Sequence, residues 1–358
     1  MTSIGDRVET TATGPGGGPT RPPGGGAAGD WWRRTLSGSG MGIVLATILL
    51  FAVSPLIAPG SLGPAPLLSM LPFASVLAIV AVGQTLVVQQ RGLDLSVPGM
   101  IALAAVLSTG LAQNQGWPIW AAVAAGVVGP GIVGLVNGLL VTVLRVMPLV
   151  VTLGMNAVLL GTVFFLANGT PAGAPDALNS FALDRTLGIP NTLLIAVVVV
   201  VLAGLVTRRS VIGRRLTYVG VSVPAAAALG VRVTLYQAAA YAFAGLAYGA
   251  GGVLLAGYTK TPPLFLGDSY LLPSVAAVVL GGTALTGGMA SVVSTGIAAL
   301  FLTQLGQLLR SVGWQDAPQL IAQSVVLVAV VLLREFVPVG MRRWRAARAA
   351  RRDHAVSR

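Results

Sequence analysis

The chain has 358 residues, 55% of them hydrophobic and only 9% charged, with a mean hydropathy of +0.85. A soluble domain carries about a quarter charged residues, so the solvent for most of this chain is lipid. The net charge of +12 does not point to nucleic acid, because the basic residues sit in short loops and at the ends of apolar segments. Zero cysteines exclude disulfides, thiolate metal sites and thiol nucleophiles. The one histidine, His354, lies in a basic tail and offers neither a buried triad nor a zinc site.

In chain order, residues 1–40 are rich in Gly, Pro, Thr and Ser without periodicity and read as a disordered cytoplasmic leader. They are not a cleavable signal, since no basic stretch runs straight into a short apolar core with a small-residue cleavage site. Trp31, Trp32, Arg33 and Arg34 read as an interfacial anchor. A membrane span needs roughly 20 mostly apolar residues. Residues 41–333, the transmembrane domain, divide into about ten: 41–58, 67–89, 97–113, 117–142, 148–167, 191–207, 233–257, 270–286, 290–309 and 318–333. The third and eighth are short and flanked by Pro and Gly, which predicts that they are broken or re-entrant. Residues 334–358 form a basic cytoplasmic tail suited to anionic headgroups.

Orientation follows the Lys/Arg bias. With the N-terminus inside and ten spans, 19 basic residues fall inside, and Arg185, Lys260 and Arg310 fall outside. The expectation is a multi-pass protein of the cell inner membrane with both termini cytoplasmic.

Between Met41 and Leu333 stand ten Lys/Arg and five Asp/Glu, none central in a predicted span. A proton-coupled carrier keeps ionisable groups at membrane depth, so that class is disfavoured, while a sodium site of carbonyls and hydroxyls stays open. A membrane enzyme needs clustered acids, histidines or thiols. Asp176, Asp184, Asp268 and Asp316 are scattered. A phosphate-cradling loop needs Lys after Gly, yet the single lysine, Lys260, follows Thr259. If this chain pumps, a partner supplies the nucleotide chemistry.

Four ordered blocks carry a resemblance. The stretch from Gly83 to Leu103 (GQTLVVQQRGLDLSVPGMIAL) resembles the signature of ribose/xylose-type ABC transporter permeases. The stretch from Gly134 to Gly154 (GLVNGLLVTVLRVMPLVVTLG) resembles that family's Gly-x-x-Asn-Gly followed by a Pro-led Thr-Leu segment. Gly213 to Val231 resembles its cytoplasmic coupling loop, and Val278 to Val293 (VVLGGTALTGGMASVV) its late Gly-rich segment. The match is collinear from about Leu67 to Leu333. Arg91 and Pro98 stand where the family has glycine, as does Ala290. The coupling loop keeps Gly213, Gly220 and Gly230 but lacks the family's central acids.

The resemblance implies an all-α polytopic fold with two inverted four-span units, around spans two to five and seven to ten. It implies a permease subunit, not an enzyme, that passes a monosaccharide from an extracytoplasmic sugar-binding protein. The implied partners are cytoplasmic ABC ATPase subunits holding ATP and Mg, and a second permease copy or paralogue in the lipid bilayer. No cofactor belongs to this chain. A permease for branched-chain amino acids or nucleosides is the alternative within this architecture, and an ion-coupled carrier acting alone is the alternative outside it.

Polar residues inside spans are the pathway candidates: Gln84, Asn137, Thr152, Asn156, Gln304 and Gln307. Thr152 and Asn156 are four apart, on one helical face. Hydrogen bonding between spans is the plainer role for each. Arg91, Asp94 and Ser96 are gating candidates, with helix capping the plainer role for Asp94 and Ser96 and an Arg91–Asp94 pair expected. Gly92–Ser96 is matched by a second turn, Gly267-Asp268-Ser269. In the coupling loop the candidates are Gly213, Arg214, Gly220, Pro224, Ala225, Ala226 and Gly230, and Pro224 fits the first turn of a short helix.

Overall fold

A computed structural model describes residues 40–314 together with Ile321, Ser324, Val325 and Val328. Residues 1–39 of the leader, the basic tail and the rest of the tenth predicted span lie outside the described residues. The second implied four-span unit runs into that set.

Helices follow the apolar segments closely: α1 (Gly40–Ile57), α2 (Pro64–Gln89), α3 (Val97–Gln115), α4 (Ile119–Thr142) and α5 (Pro148–Leu166). A short α6 (Asp176–Leu183) and a two-residue ribbon, β1 (Arg185–Thr186) against β2 (Ile189–Pro190), precede α7 (Asn191–Arg209). Then come α8 (Val211–Val221), α9 (Val223–Ala228), α10 (Val233–Thr259), the half-length α11 (Leu271–Leu280) and α12 (Val292–Ser311). Eight of these, all but α6, α8, α9 and α11, are long and apolar enough to cross a membrane. Proline opens α2, α3 and α5 within the first two positions, where its missing N–H costs no helical bond.

The bundle has an inner and an outer set. Most of α2, α3, α10 and α12 is buried, whereas α1, α4, α5 and α7 turn long rows of Leu, Ile, Val and Phe outward. In water such rows would be a liability. Here they face lipid or a second protein.

Glycine sets how closely the inner helices approach. A Cβ at Gly245 of α10 would lie 2.1 Å from the Pro130 carbonyl oxygen of α4. One at Gly134 of α4 would lie 2.2 Å from the Tyr241 carbonyl oxygen. Backbone therefore meets backbone along α4 and α10, the small-residue packing that membrane helices use where no hydrophobic effect drives them together.

The two segments predicted as broken differ. The third is a continuous 19-residue helix, but an irregular stretch, Gly92–Ser96, leads into it. The eighth is genuinely short: a 3₁₀ turn (Asp268–Tyr270) runs into ten-residue α11, which stops at Gly281 and Gly282. The second turn meets the start of α3, since a Cβ on Gly267 would lie 2.3 Å from the Pro98 carbonyl oxygen.

Candidate translocation and coupling site

The polar residues near Gly92–Ser96 answer a backbone problem. This irregular stretch is half-buried among the helices, with Asp94 and Ser96 fully so, and each N–H shut off from solvent there needs an acceptor. Thr152 and Asn156 of α5 supply two. Leu95 N donates to Thr152 Oγ1 at 3.0 Å, and Gly99 N donates to Asn156 Oδ1 at 2.8 Å. Asn156 is eight residues into α5, about 12 Å along it at 1.5 Å per residue, so α3 starts well inside the helical layer. Asp94 Oδ1 accepts from Ser96 N at 2.9 Å and from Ser96 Oγ at 2.5 Å. Asn137 Nδ2 of α4 donates to the same Ser96 oxygen at 3.0 Å. Asp94, Ser96 and Asn137 thus form one buried polar knot, and Thr152 and half-buried Asn156 hold the backbone on either side of it. Asp94 Oδ2, Asn137 Oδ1 and the Tyr241 hydroxyl, all buried beside it, complete its polar surface.

Arg91 does not join the knot. The expected pair with Asp94 gives way to contacts in the opposite direction: Arg91 Nε donates to the Gly220 carbonyl at 2.8 Å, and Nη2 donates to the Val221 carbonyl. The carboxylate is served by Ser96 two residues along instead.

The remaining pathway candidates divide. Gln84 accepts from the Tyr248 hydroxyl at 2.7 Å, and Gln304 donates to Ser54 Oγ at 3.0 Å. Both are interhelical ties. Gln307 donates to the Ser61 carbonyl at 3.3 Å and also lines a cavity of about 830 Å³. That cavity lies between the first half of α2, the start of α11 and the second half of α12, and its volume suits a small-molecule site. Its polar lining is Ser69, Ser269, Tyr270, Thr303, Gln307, Arg310 and Ser311. Of the residues singled out from sequence, Gln307 and Ser269 of the second turn lie here. Thr303, Gln307 and Arg310 recur at helical spacing on one face of α12, a signal that was present but unused.

At the other end of the bundle lies the predicted coupling segment, which is two helices rather than one. Ser210 caps α8, accepting from Gly213 N at 3.0 Å. Gly213, Leu216, Val219 and Gly220 are buried while Arg214 and Arg215 are exposed, the one-sided burial of a surface helix. Arg215 donates to the Tyr236 hydroxyl at 3.0 Å, tying α8 to α10. Ser222 caps α9, accepting from Ala225 N at 3.4 Å, and Pro224 sits in its first turn. Gly230, at φ +75°, follows α9 in a conformation that suits glycine. Ala226 points inward, and Ala225 points out. Apolar Val221, Val223 and Leu229, the last 73% exposed, present themselves at this end. Leu229 was not among the residues singled out from sequence.

Membrane-crossing helices around a polar-lined cavity, with an exposed helical pair at the opposite end, are the features of a multi-pass membrane permease. The chain belongs to the family described as the branched-chain amino acid transport system permease component, which matches residues 67–333. It is 30% identical to the ribose import permease protein RbsC of Bacillus subtilis over 296 residues, 82% of this chain and 92% of that protein. It is 30% identical to RbsC of Escherichia coli K12, over 81% of this chain and 92% of that protein. The autoinducer 2 import system permease protein LsrD of Escherichia coli is 31% identical, over 82% of this chain and 92% of the relative. No solved structure gives a significant match.

Proposed function

We propose that this chain is the membrane-spanning permease subunit of an ATP-binding cassette importer for a monosaccharide. The carrying observation is the 830 Å³ cavity, whose polar lining is mostly hydroxyl and amide. Such a lining suits a neutral polyol, and the relatives named for ribose import favour a sugar over other cargo. An extracytoplasmic sugar-binding protein would deliver the substrate at the cavity end. Cytoplasmic ATPases, which hold ATP and Mg, would dock at the α8–α9 end through Val221, Val223 and Leu229. With the coupling end cytoplasmic, the start of α1 is cytoplasmic too, the Lys/Arg bias favours the same side for both termini, and a second permease copy or paralogue covers part of the apolar outer face. No cofactor is assigned to this chain.

The substrate class is tested in vesicles holding the permease, its ATPase and its receptor, supplied with labelled pentoses, hexoses and branched-chain amino acids. ATP-dependent accumulation of a monosaccharide is expected. Accumulation of a branched-chain amino acid and of no sugar would replace this reading with the alternative.

A further inference from the structure

The contacts of Arg91 reach beyond the site described so far. Arg91 ends the turn after α2 with φ +64°, in the left-handed region that a side chain makes costly. Its guanidinium lies on the carbonyls of Gly220 and Val221, the last two residues of α8. Those carbonyls have no partner within the helix, and the helix end they form carries partial negative charge. A planar fork of donors meets two adjacent acceptors, a fit that an ammonium group does not reproduce.

Neighbouring contacts fasten the same place. Gln89 Nε2 donates to Thr217 Oγ1 and to the Gly288 carbonyl, both at 3.1 Å, and Gln90 Nε2 donates to the Leu216 carbonyl at 3.1 Å. Gly288 N donates to the Gln89 carbonyl at 2.9 Å. No side chain fits at the contact: a Cβ on Gly220 would lie 2.1 Å from the Gln89 oxygen, and one on Gly287 would lie 2.4 Å from Arg91 Cγ. Three segments distant in sequence therefore meet at one dense junction. Three residues beyond Arg91 is Asp94, fixed in the buried knot with Ser96 and Asn137.

We propose that Arg91 is a positioning residue that carries displacement of α8 into the Gly92–Ser96 segment, and so into the start of α3. The proposal rests on the reading that α8 and α9 receive the ATPase. Between Arg91 and Asp94 there is too little chain to absorb a shift. When α8 is pushed, the knot on α4 and the contacts with α5 must shift with it or break their hydrogen bonds.

The test uses the full chain with its ATPase and receptor in vesicles, comparing Arg91→Gly, Arg91→Lys and Leu229→Asp. Three quantities are read: capture of the ATPase, ATP hydrolysis and sugar uptake. Glycine relieves the positive φ, so Arg91→Gly should keep its thermal midpoint, capture the ATPase and hydrolyse ATP. Uptake per ATP should fall roughly tenfold, the scale of a typical coupling free energy. Arg91→Lys, which keeps the charge but not the fork, should fall between the two and carries the test if the glycine variant folds poorly. Unchanged uptake per ATP in both variants overturns the proposal. So does loss of ATPase capture in them, which would make Arg91 a docking residue. Leu229→Asp examines the underlying reading separately: it should lose capture, and if it captures and transports normally, the α8–α9 docking reading fails whatever Arg91 does.

Discussion

At the scale of single residues, Thr152 and Asn156 serve backbone N–H groups at the start of α3, while Gln84 and Gln304 tie helix to helix. Thr152 and Asn156 were legible as a pair on one helical face, because a four-residue spacing fixes that without knowledge of neighbours. What that face meets was not legible. It depends on the path of Gly92–Ser96, set by contacts with α4, α5 and α10 far away in sequence. The Arg91–Asp94 expectation failed for the same reason: nearness in sequence suggested a pair, but the α8 carbonyls lie closer to the guanidinium. Replacing Thr152 by Val or Asn156 by Leu removes the acceptor of a buried N–H, at a cost of about 1–3 kcal/mol each. Thermal unfolding of the purified chain should show a lower midpoint for both, while Thr152→Ser, which keeps the oxygen, should stay near the parent. Equal midpoints for Thr152→Val and Thr152→Ser would remove the capping role.

At the scale of elements, apolar length placed the crossing helices well, since a span has one strong requirement and the sequence states it directly. The start of α9 at Pro224 was also legible from the preference of proline for a first turn. Helix α8 was missed because its signal, small or apolar residues at 213, 216, 219 and 220 among arginines, is short and interrupted by glycine. The glycines of α4 and α10 could be read as packing or as hinges from sequence alone. The geometry favours packing at Gly245, where backbone oxygen occupies the space a side chain would need. Gly245→Val should therefore separate α4 from α10 and abolish a monodisperse peak in size-exclusion chromatography. Gly110 of α3 has no heavy atom within 4 Å of its would-be Cβ, so Gly110→Ala should leave that peak intact. It should also raise the thermal midpoint, since alanine favours the helix over glycine by about 0.5–1 kcal/mol. A well-behaved Gly245→Val protein would contradict the close approach.

At the scale of the whole molecule, a polar-lined cavity lies at one end of the bundle and the exposed α8–α9 pair at the other, with the Arg91 junction fastening α8 to the end of α2. Orientation is testable directly because the chain has no native cysteine. Cysteines placed at exposed Asp176 and exposed Ala227 sit at opposite ends of the bundle. An impermeant thiol reagent added to intact cells should label the first and spare the second, and the reverse pattern would invert the topology. The central claim is that transport through this chain is driven by a separate ATPase. The most direct measurement is monosaccharide uptake into vesicles holding the permease with or without the ATPase, with receptor outside and ATP sealed inside. Uptake should appear only when ATPase and ATP are both present and should vanish with a non-hydrolysable analogue. Accumulation by the permease alone, driven by a sodium or proton gradient, would contradict the account and make the chain an ion-coupled carrier.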